Sequence, residues 1–433
     1  MKNLPPNSAV LLALLFAAPL AAQEAPTAEN PERRSITFSA GAGATDNIKR
    51  VESGEQSETI LSAGLKVDVN QSTRRLDTEL LGDLNYLSYL DNTYDNELVG
   101  RLDGDLRVAL APGRLFWDFH DNYGQSQVDP LAPVTPENRE DVNYFSTGPD
   151  VALKLGSSGF AELAARYSDV AYELSPLDSR RVFAGVGFGR ELASGSRLSL
   201  HVDWQRIDFD DDVVNTDYDL ASTYARYEVK GARTEFFANV GAIQFDDGNK
   251  DSGPFVQLEL TRQMSSASKL VVGAGRQFTD AASVFRDRPP LTQGVSTTAP
   301  PTLSSDVFDR SYVDANWQYE RHRTGVVVSA RYSDDEYENR KDLNVKRTEL
   351  VLSLSRQLTP TISGSVFASH SDSDYDNAGF TDKMNTFGLG MSYLVGRRLV
   401  ISLDAADEKR SVEGGGNGYD ELRGFLTFGY RVR

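Results

Sequence analysis

The sequence contains no cysteine, which removes disulfides, thiolate metal sites and N-terminal lipid acylation from consideration. Histidine is nearly as scarce, with four in 433 residues. Neither Gly-x-Ser-x-Gly nor His-Glu-x-x-His occurs, so two common hydrolase signatures are missing. No long stretch keeps apolar residues at i, i+3, i+4 and i+7, so helical patterning is nearly absent. No run after the N-terminus approaches 18 consecutive apolar residues, which excludes a transmembrane helix there. Basic residues do not dominate: 45 Lys and Arg stand against 63 Asp and Glu, a net charge of -18. That balance argues against a nucleic-acid partner, because phosphate binding requires clustered cations.

What is present begins with Met1-Lys2, an apolar run over Val10–Leu20, and Ala21-Ala22. A charged start, a short apolar run and small residues predict a secretory signal peptide over residues 1–22. A Pro-containing polar leader follows over residues 23–33, and residues 34–433 then read as strand after strand. In Asn96–Leu110, Leu98, Gly100, Leu102, Gly104, Leu106, Val108 and Leu110 share one face, and Arg101, Asp103, Asp105 and Arg107 lie on the other. Thr348–Arg356 and Arg197–Gln205 repeat the pattern, as does the final stretch Tyr419–Arg433. Charges of both signs occupy the polar rows. A dry core would hold them only at a large desolvation cost, whereas a hydrated lumen accommodates them.

Connections alternate between two kinds. Tight ones carry Gly, Pro and Ser, as in Ala111–Arg114, Gly156–Gly159, Ala193–Ser196, Val229–Ala232, Met264–Ser268, Gln357–Thr361 and Val395–Arg398. Between them lie longer acidic stretches, among them Thr45–Gln56, Asp91–Asn96, Gln125–Asp141, Asp208–Asp217, Phe245–Ser252, Thr279–Asp306, Ser333–Asp342, Ser371–Asp382 and Ala406–Asp420. Short turns on one side and long loops on the other predict an all-β, antiparallel, up-and-down transmembrane barrel, with the short turns periplasmic. The count is about 20 strands, with 18 as the alternative. Such a protein is integral to the outer membrane of a Gram-negative bacterium, with lipid and lipopolysaccharide as its surroundings.

Alternation places Lys66, Asp83, Arg101, Asp103, Asp105, Arg107, Lys154, Glu162, Arg166, Asp203, Arg226, Glu228, Glu259, Asp314, Arg331, Glu349 and Asp404 on pore-lining rows. They serve as cross-strand ion pairs, as a field that sorts solutes by charge, or as both. Tyrosines at the outer ends (Tyr86, Tyr89, Tyr94, Tyr172, Tyr218 and Tyr375) are assigned to the interface girdle, with sugar-stacking platforms as the alternative. Thr279–Asp306 is the longest connection, with two Pro-Pro pairs and less acid than the others. It is either a mobile surface loop or a constriction, and its composition favours a segment folded toward the mouth with Phe285, Arg286 and Arg288 lining it. His120 and His201 fall on lumen rows near Asp118 and Asp203, the weakly supported basis for a hydrolase. The acidic runs Asp208–Asp212 and Ser371–Asn377 lack the spacing of a calcium loop, so no metal or cofactor is assigned.

Three features also carry a resemblance: Ser35–Asn47, the acidic-aromatic outer ends such as Tyr89–Asn96 and Ser371–Asn377, and Phe387–Tyr393 with the final strand. With these the chain resembles the outer-membrane β-barrel porin family associated with exopolysaccharide biosynthesis and export loci. The chain departs from many such barrels in ending on Arg433 and not on an aromatic residue. The resemblance implies a non-enzymatic barrel, a passive channel for export or passage of carbohydrate. Its partners would be the outer-membrane assembly machinery, polysaccharide and export-system proteins. A structural or polysaccharide-binding barrel with a blocked lumen is the alternative, and an outer-membrane hydrolase a third.

Overall fold

The computed structural model describes residues 33–193, 195–288 and 303–432. The expected signal peptide and nearly all of the leader lie outside the described residues. The first ten strands are β1 (Arg33–Thr45), β2 (Glu58–Ser72), β3 (Leu76–Tyr89), β4 (Glu97–Ala111), β5 (Leu115–Gln127), β6 (Arg139–Leu155), β7 (Gly159–Tyr172), β8 (Ser179–Ala193), β9 (Ser196–Phe209) and β10 (Tyr218–Lys230). The second ten are β11 (Thr234–Asp246), β12 (Lys250–Ser265), β13 (Ser268–Thr279), β14 (Phe308–Arg321), β15 (Thr324–Tyr337), β16 (Val345–Gln357), β17 (Ile362–Tyr375), β18 (Phe380–Val395), β19 (Leu399–Glu413) and β20 (Tyr419–Val432). A six-residue helix, α1 (Ala281–Arg286), stands between β13 and β14.

Each strand pairs antiparallel with its neighbour in sequence, and β20 returns to β1 from Ile36↔Val432 to Thr45↔Arg423. The result is a closed 20-stranded antiparallel barrel. Closure leaves no sheet edge, so every strand's backbone polar groups find partners without water, as a bilayer demands.

The register divides every strand into two rows. The outward row is apolar and exposed: Leu350, Leu352 and Leu354 on β16 are 47%, 49% and 42% exposed, and Leu200 on β9 is 66%. Rows this exposed have no place in a water-soluble fold and match a hydrocarbon surround. Tyr86, Tyr167, Trp204 and Tyr332 stand in the outward row toward the long loops, and Trp117, Trp317, Tyr393 and Tyr430 toward the tight turns. Buried donors on this face would be costly in lipid, and the two indole N–H groups near the turns are satisfied. Trp117 donates to Thr147 Oγ1 at 2.8 Å and Trp317 to Ser268 Oγ at 2.8 Å.

The girdle assignment is corrected for four tyrosines. Tyr89, Tyr172, Tyr218 and Tyr375 pair with Ile60, Val142, Ile207 and Phe380, all on inward rows, and Tyr94 lies in a loop. Of the six, Tyr86 alone faces outward along a strand.

Loop boundaries are corrected too. Ser371–Asp382 is mostly strand, with β17 and β18 joined by residues 376–379, and Phe245–Ser252 shrinks to residues 247–249. The ladder continues above the bilayer, where both faces meet water and the apolar alternation stops while the hydrogen bonding does not.

A row swap tests this register. Leu352→Arg should destabilise the barrel by roughly 2–4 kcal/mol, because residue 352 faces lipid. Ser353→Arg, one position on and facing the lumen, should be close to neutral. Urea unfolding in vesicles, followed by loss of the heat-resistant band on gels, compares the two; equal cost at both positions would contradict the row assignment.

Candidate constriction in the lumen

The inward rows carry the charges. All the pore-lining positions named from the sequence lie on these rows. Lys66 faces Asp83 at 4.0 Å, and Arg101 meets Asp103 at 2.5 Å. Lower on the same wall, Arg166 reaches Asp118 at 2.8 Å and Asp150 at 2.7 Å, with Arg107 at 3.7 and 3.5 Å from the same two carboxylates. Arg197 bridges Glu162 at 2.8 Å and Glu228 at 3.5 Å. Asp314, Arg331 and Glu349 follow one another across β14, β15 and β16. Arg226 starts an amide ladder along the wall. It donates to Asn239 Oδ1 at 2.9 Å, Asn239 to Gln257 Oε1 at 2.8 Å, and Gln257 to Gln277 Oε1 at 2.7 Å. Glu259, facing Gly273, and Asp404, facing Gly390, lie on inward rows elsewhere, and Lys154 near the turn end.

Inward glycines let these groups lie flat. A Cβ on Gly273 would stand 2.7 Å from Asp314 Oδ1, and one on Gly187 2.6 Å from His201 Nδ1. The wall therefore holds polar side chains against itself and keeps them from closing the bore.

Two segments cross that bore. The first leaves β13 at Asp280, which caps α1 by accepting from the Ser283 N–H at 2.7 Å. Its other oxygen accepts from Arg181 Nη1 of β8 at 2.7 Å and from the Tyr218 hydroxyl of β10. Arg181 and Asp280 are both buried. Phe285 packs among Val142, Tyr144 and Val170 of β6 and β7, and Val284 packs on Phe308 and Tyr337 of β14 and β15. Arg286 donates to the Tyr144 hydroxyl at 3.2 Å. Arg288 ends on β4 and β5, donating to Tyr123 O at 2.7 Å and facing Asp103 at 3.5 Å. Its guanidinium stacks 4.0 Å from the Phe285 ring centre, and Gly124 leaves the space it occupies. In the ring β13 stands nine strands from β4, nearly opposite it, so the chain from Asp280 to Arg288 runs across the interior.

The second crossing is the β5–β6 connection, residues 128–138, which the sequence pattern showed only as one acidic stretch. Leu131 inserts among Val345, Tyr375, Phe380 and Val412 of β16–β19. Its carbonyl accepts from Arg410 at 2.9 Å, and that of Val134 accepts from Arg50. Arg50, in the β1–β2 loop, is itself held by Glu421 at 2.9 Å and Glu408 at 3.1 Å. Arg50, Arg181, Asp280, Arg310 and Arg410 were not singled out from the sequence. Row parity alone marks Arg181, Arg310 and Arg410 as inward; Arg310 forms a bidentate pair with Asp335 at 2.6 Å.

The histidines assemble no relay. His201 Nε2 lies 2.8 Å from Ser199 Oγ, but Asp203 spends its carboxylate on the Tyr224 hydroxyl at 2.8 Å. His120 contacts Asp105, while Asp118 faces arginines. His370 bonds Asn385 on the outward row at 2.9 Å, and His322 lies in the β14–β15 turn.

A family model described as "Putative beta-barrel porin 2" matches residues 312–431, from within β14 to the end of β20. No curated protein matches. Among solved structures, the chain aligns with the ferric enterobactin receptor PfeA at 10% identity and a TM-score of 0.46, covering 94% of this chain and 82% of that one. The siderophore receptor PirA from Acinetobacter baumannii gives 9% identity, a TM-score of 0.46, and coverage of 92% and 80%. Pseudomonas aeruginosa OccK2, solved with glucuronate, gives 11% identity, a TM-score of 0.38, and coverage of 93% and 98%. The closed barrel has a porin-like fold, and the family match covers its last seven strands, β14–β20; barrels of this kind reside in the bacterial outer membrane.

Electrostatics fixes the crossing segment. Burial alone would raise the Asp280 carboxyl, but the Arg181 charge and the Tyr218 and Ser283 donors more than offset it and hold it below the ordinary 3.8. Burial and the charge of Arg101 pull Arg288 down to about 10. A carboxylate with a depressed value stabilises the fold above its ordinary range, and that stabilisation disappears as pH falls through the lowered value. The anchor should therefore hold at neutral pH and release only below 3.8. Asp280→Asn leaves Arg181 buried and unpaired, which costs roughly 3–5 kcal/mol. Planar-bilayer recordings should show the variant at pH 7 in the larger conductance state that the native protein reaches only in acid; identical records for the two would remove Asp280 as the anchor.

Proposed function

We propose that the protein is a constricted outer-membrane channel that passes carbohydrate of small size, from monosaccharide to short oligosaccharide. The observation that carries this reading is the segment Asp280–Arg288, which runs from β13 to β4 and is fastened at both ends by charged groups. It narrows the bore. The inward rows of β9–β12 support a sugar-like solute. Ile207, Phe209, Tyr218, Tyr224, Ile243, Phe245 and Phe255 form one apolar and aromatic cluster there, beside the arginine–amide ladder. The cluster's rings pack on one another away from water, so the wall beside them offers a hydroxyl-bearing solute the arginine and glutamine groups of the ladder. The resemblance to barrels of exopolysaccharide loci supports carbohydrate as the solute class and places export-system proteins among the partners of this reading.

A second reading is favoured by the strap at residues 128–138. With Leu131 seated across the mouth, the lumen is closed from outside and the barrel is a structural or polysaccharide-binding surface protein. Deleting Ala281–Ser304 separates the two, because shortening a loop costs little closure entropy. A channel should gain several-fold in conductance while keeping its heat-resistant folded form. Silence before and after deletion would establish the closed barrel.

Orientation is tested independently. A tag inserted at Gly248, between β11 and β12, should be reachable on intact cells, and one at Gly195, between β8 and β9, should be hidden. The opposite result would invert the barrel.

A further inference from the structure

The net charge of -18 is not distributed along the barrel axis evenly. The long-loop end carries runs such as Asp210–Asp212, whereas five of the connections at the tight-turn end contain arginine and none contains an acidic residue among the described positions. Arginine is densest around the closing seam. The β2–β3 turn holds Arg74 and Arg75, and the β18–β19 turn holds Arg397 and Arg398. Arg34, near the start of β1, stands between them on the outward row. The two turns are separated by β19, β20, β1 and β2, about 19 Å at the spacing of neighbouring strands. All five arginines are exposed. Among the described residues they meet neutral partners only: Arg34 donates to Gln71, and Arg398 to the Tyr430 hydroxyl at 3.0 Å.

The Arg398 contact locates the patch. Tyr430 belongs to the outward row and is 46% exposed, next to Phe428 and Tyr393. The guanidinium therefore stands where the apolar belt ends, at headgroup depth, and not inside the bore. An exposed planar cation that pairs with no carboxylate among the described residues suits bidentate contact with phosphate. An acidic protein docking from below would find the same charge, but the lean of Arg34 and Arg398 onto the lipid-facing rows favours the membrane itself.

We propose that this seam patch binds the phosphate of anionic phospholipid in the periplasmic leaflet, with Arg34, Arg74, Arg75, Arg397 and Arg398 as the ligating groups. The side assigned to the patch rests on the orientation adopted above. The binding does not, and it is measured on purified protein.

Native mass spectrometry of the detergent-solubilised protein, offered equal amounts of phosphatidylglycerol and phosphatidylcholine, tests it. The native protein should retain phosphatidylglycerol with a preference of about tenfold, in line with a few surface arginines acting together. The variant carrying Arg74→Gln, Arg75→Gln, Arg397→Gln and Arg398→Gln should retain both lipids equally while keeping its heat-resistant form. Replacement of the same four by Lys should keep most of the preference, and Arg340→Gln in an outer loop should keep all of it. If the quadruple Gln variant fails to fold, Arg397→Gln with Arg398→Gln alone should still weaken the preference severalfold. Equal retention by the native protein, or an unchanged preference in a folded Gln variant, overturns the proposal. A native protein that ignores the lipid but is captured by polyglutamate through these arginines would be a protein-docking barrel, which also overturns it.

Discussion

Everything in this molecule depends on the pairing of β1 with β20. A sheet that must stand in hydrocarbon has nowhere to leave an N–H or C=O unpaired, so the first and last strands have to meet in register, Ile36 against Val432 and Thr45 against Arg423. Closure then forces a division of labour within each strand. One row is surrendered to lipid and is free to be apolar, and the other is enclosed and is free to be charged. The charges on the inner row are not an indulgence of the fold. They hydrate the bore, pair across strands, and supply fixed points to which a loop entering the lumen can attach.

Those fixed points explain why the crossing segment is where it is. A helix of six residues has too little surface to hold itself by burial. It is held instead at its ends: Asp280 on Arg181 and Tyr218, Arg288 on Asp103 and the Tyr123 carbonyl. Phe285 adds apolar packing between them. The strap at Leu131–Val134 uses the same device in milder form, with two arginines gripping backbone carbonyls and one leucine in a pocket. A buried charged contact is costly to break, so each crossing stays in place as long as its end contacts are complete.

The barrel was legible from the sequence because one rule, period-2 alternation, governs every membrane-crossing residue of every strand. The row assignments of Arg101, Asp103, Glu349 and Leu352 follow from it directly. Legibility failed where the rule stops applying. Above the bilayer both faces are wet, so Ser371–Tyr375 reads as loop though it is paired strand, and Tyr172, Tyr218 and Tyr375 read as girdle though they face inward. The partners of the crossing segments were out of reach for a different reason. Arg181 and Asp280 are 99 positions apart and Arg410 and Leu131 279, and no local pattern encodes which part of the ring a loop will touch. Composition marks both of them: Thr279–Asp306 is poor in acid, and residues 128–138 carry only Asp129 and Glu137 beside three prolines, a sign hidden when Gln125–Asp141 is read as one acidic stretch.

The axial separation of charge joins these two levels. An acidic outer end and arginine-bearing turns are invisible in the net charge, and they appear once the topology assigns each connection to an end. The acidic outer loops can fold inward only where an arginine receives them, as Arg50 does for Val134 while clamped by Glu408 and Glu421. Among the described residues no loop folds in at the turn end and no carboxylate pairs with the seam arginines, which remain exposed. The same residue type therefore receives a loop at one end and stays available at the other, and what differs among the described residues is the presence of a carboxylate to hold it.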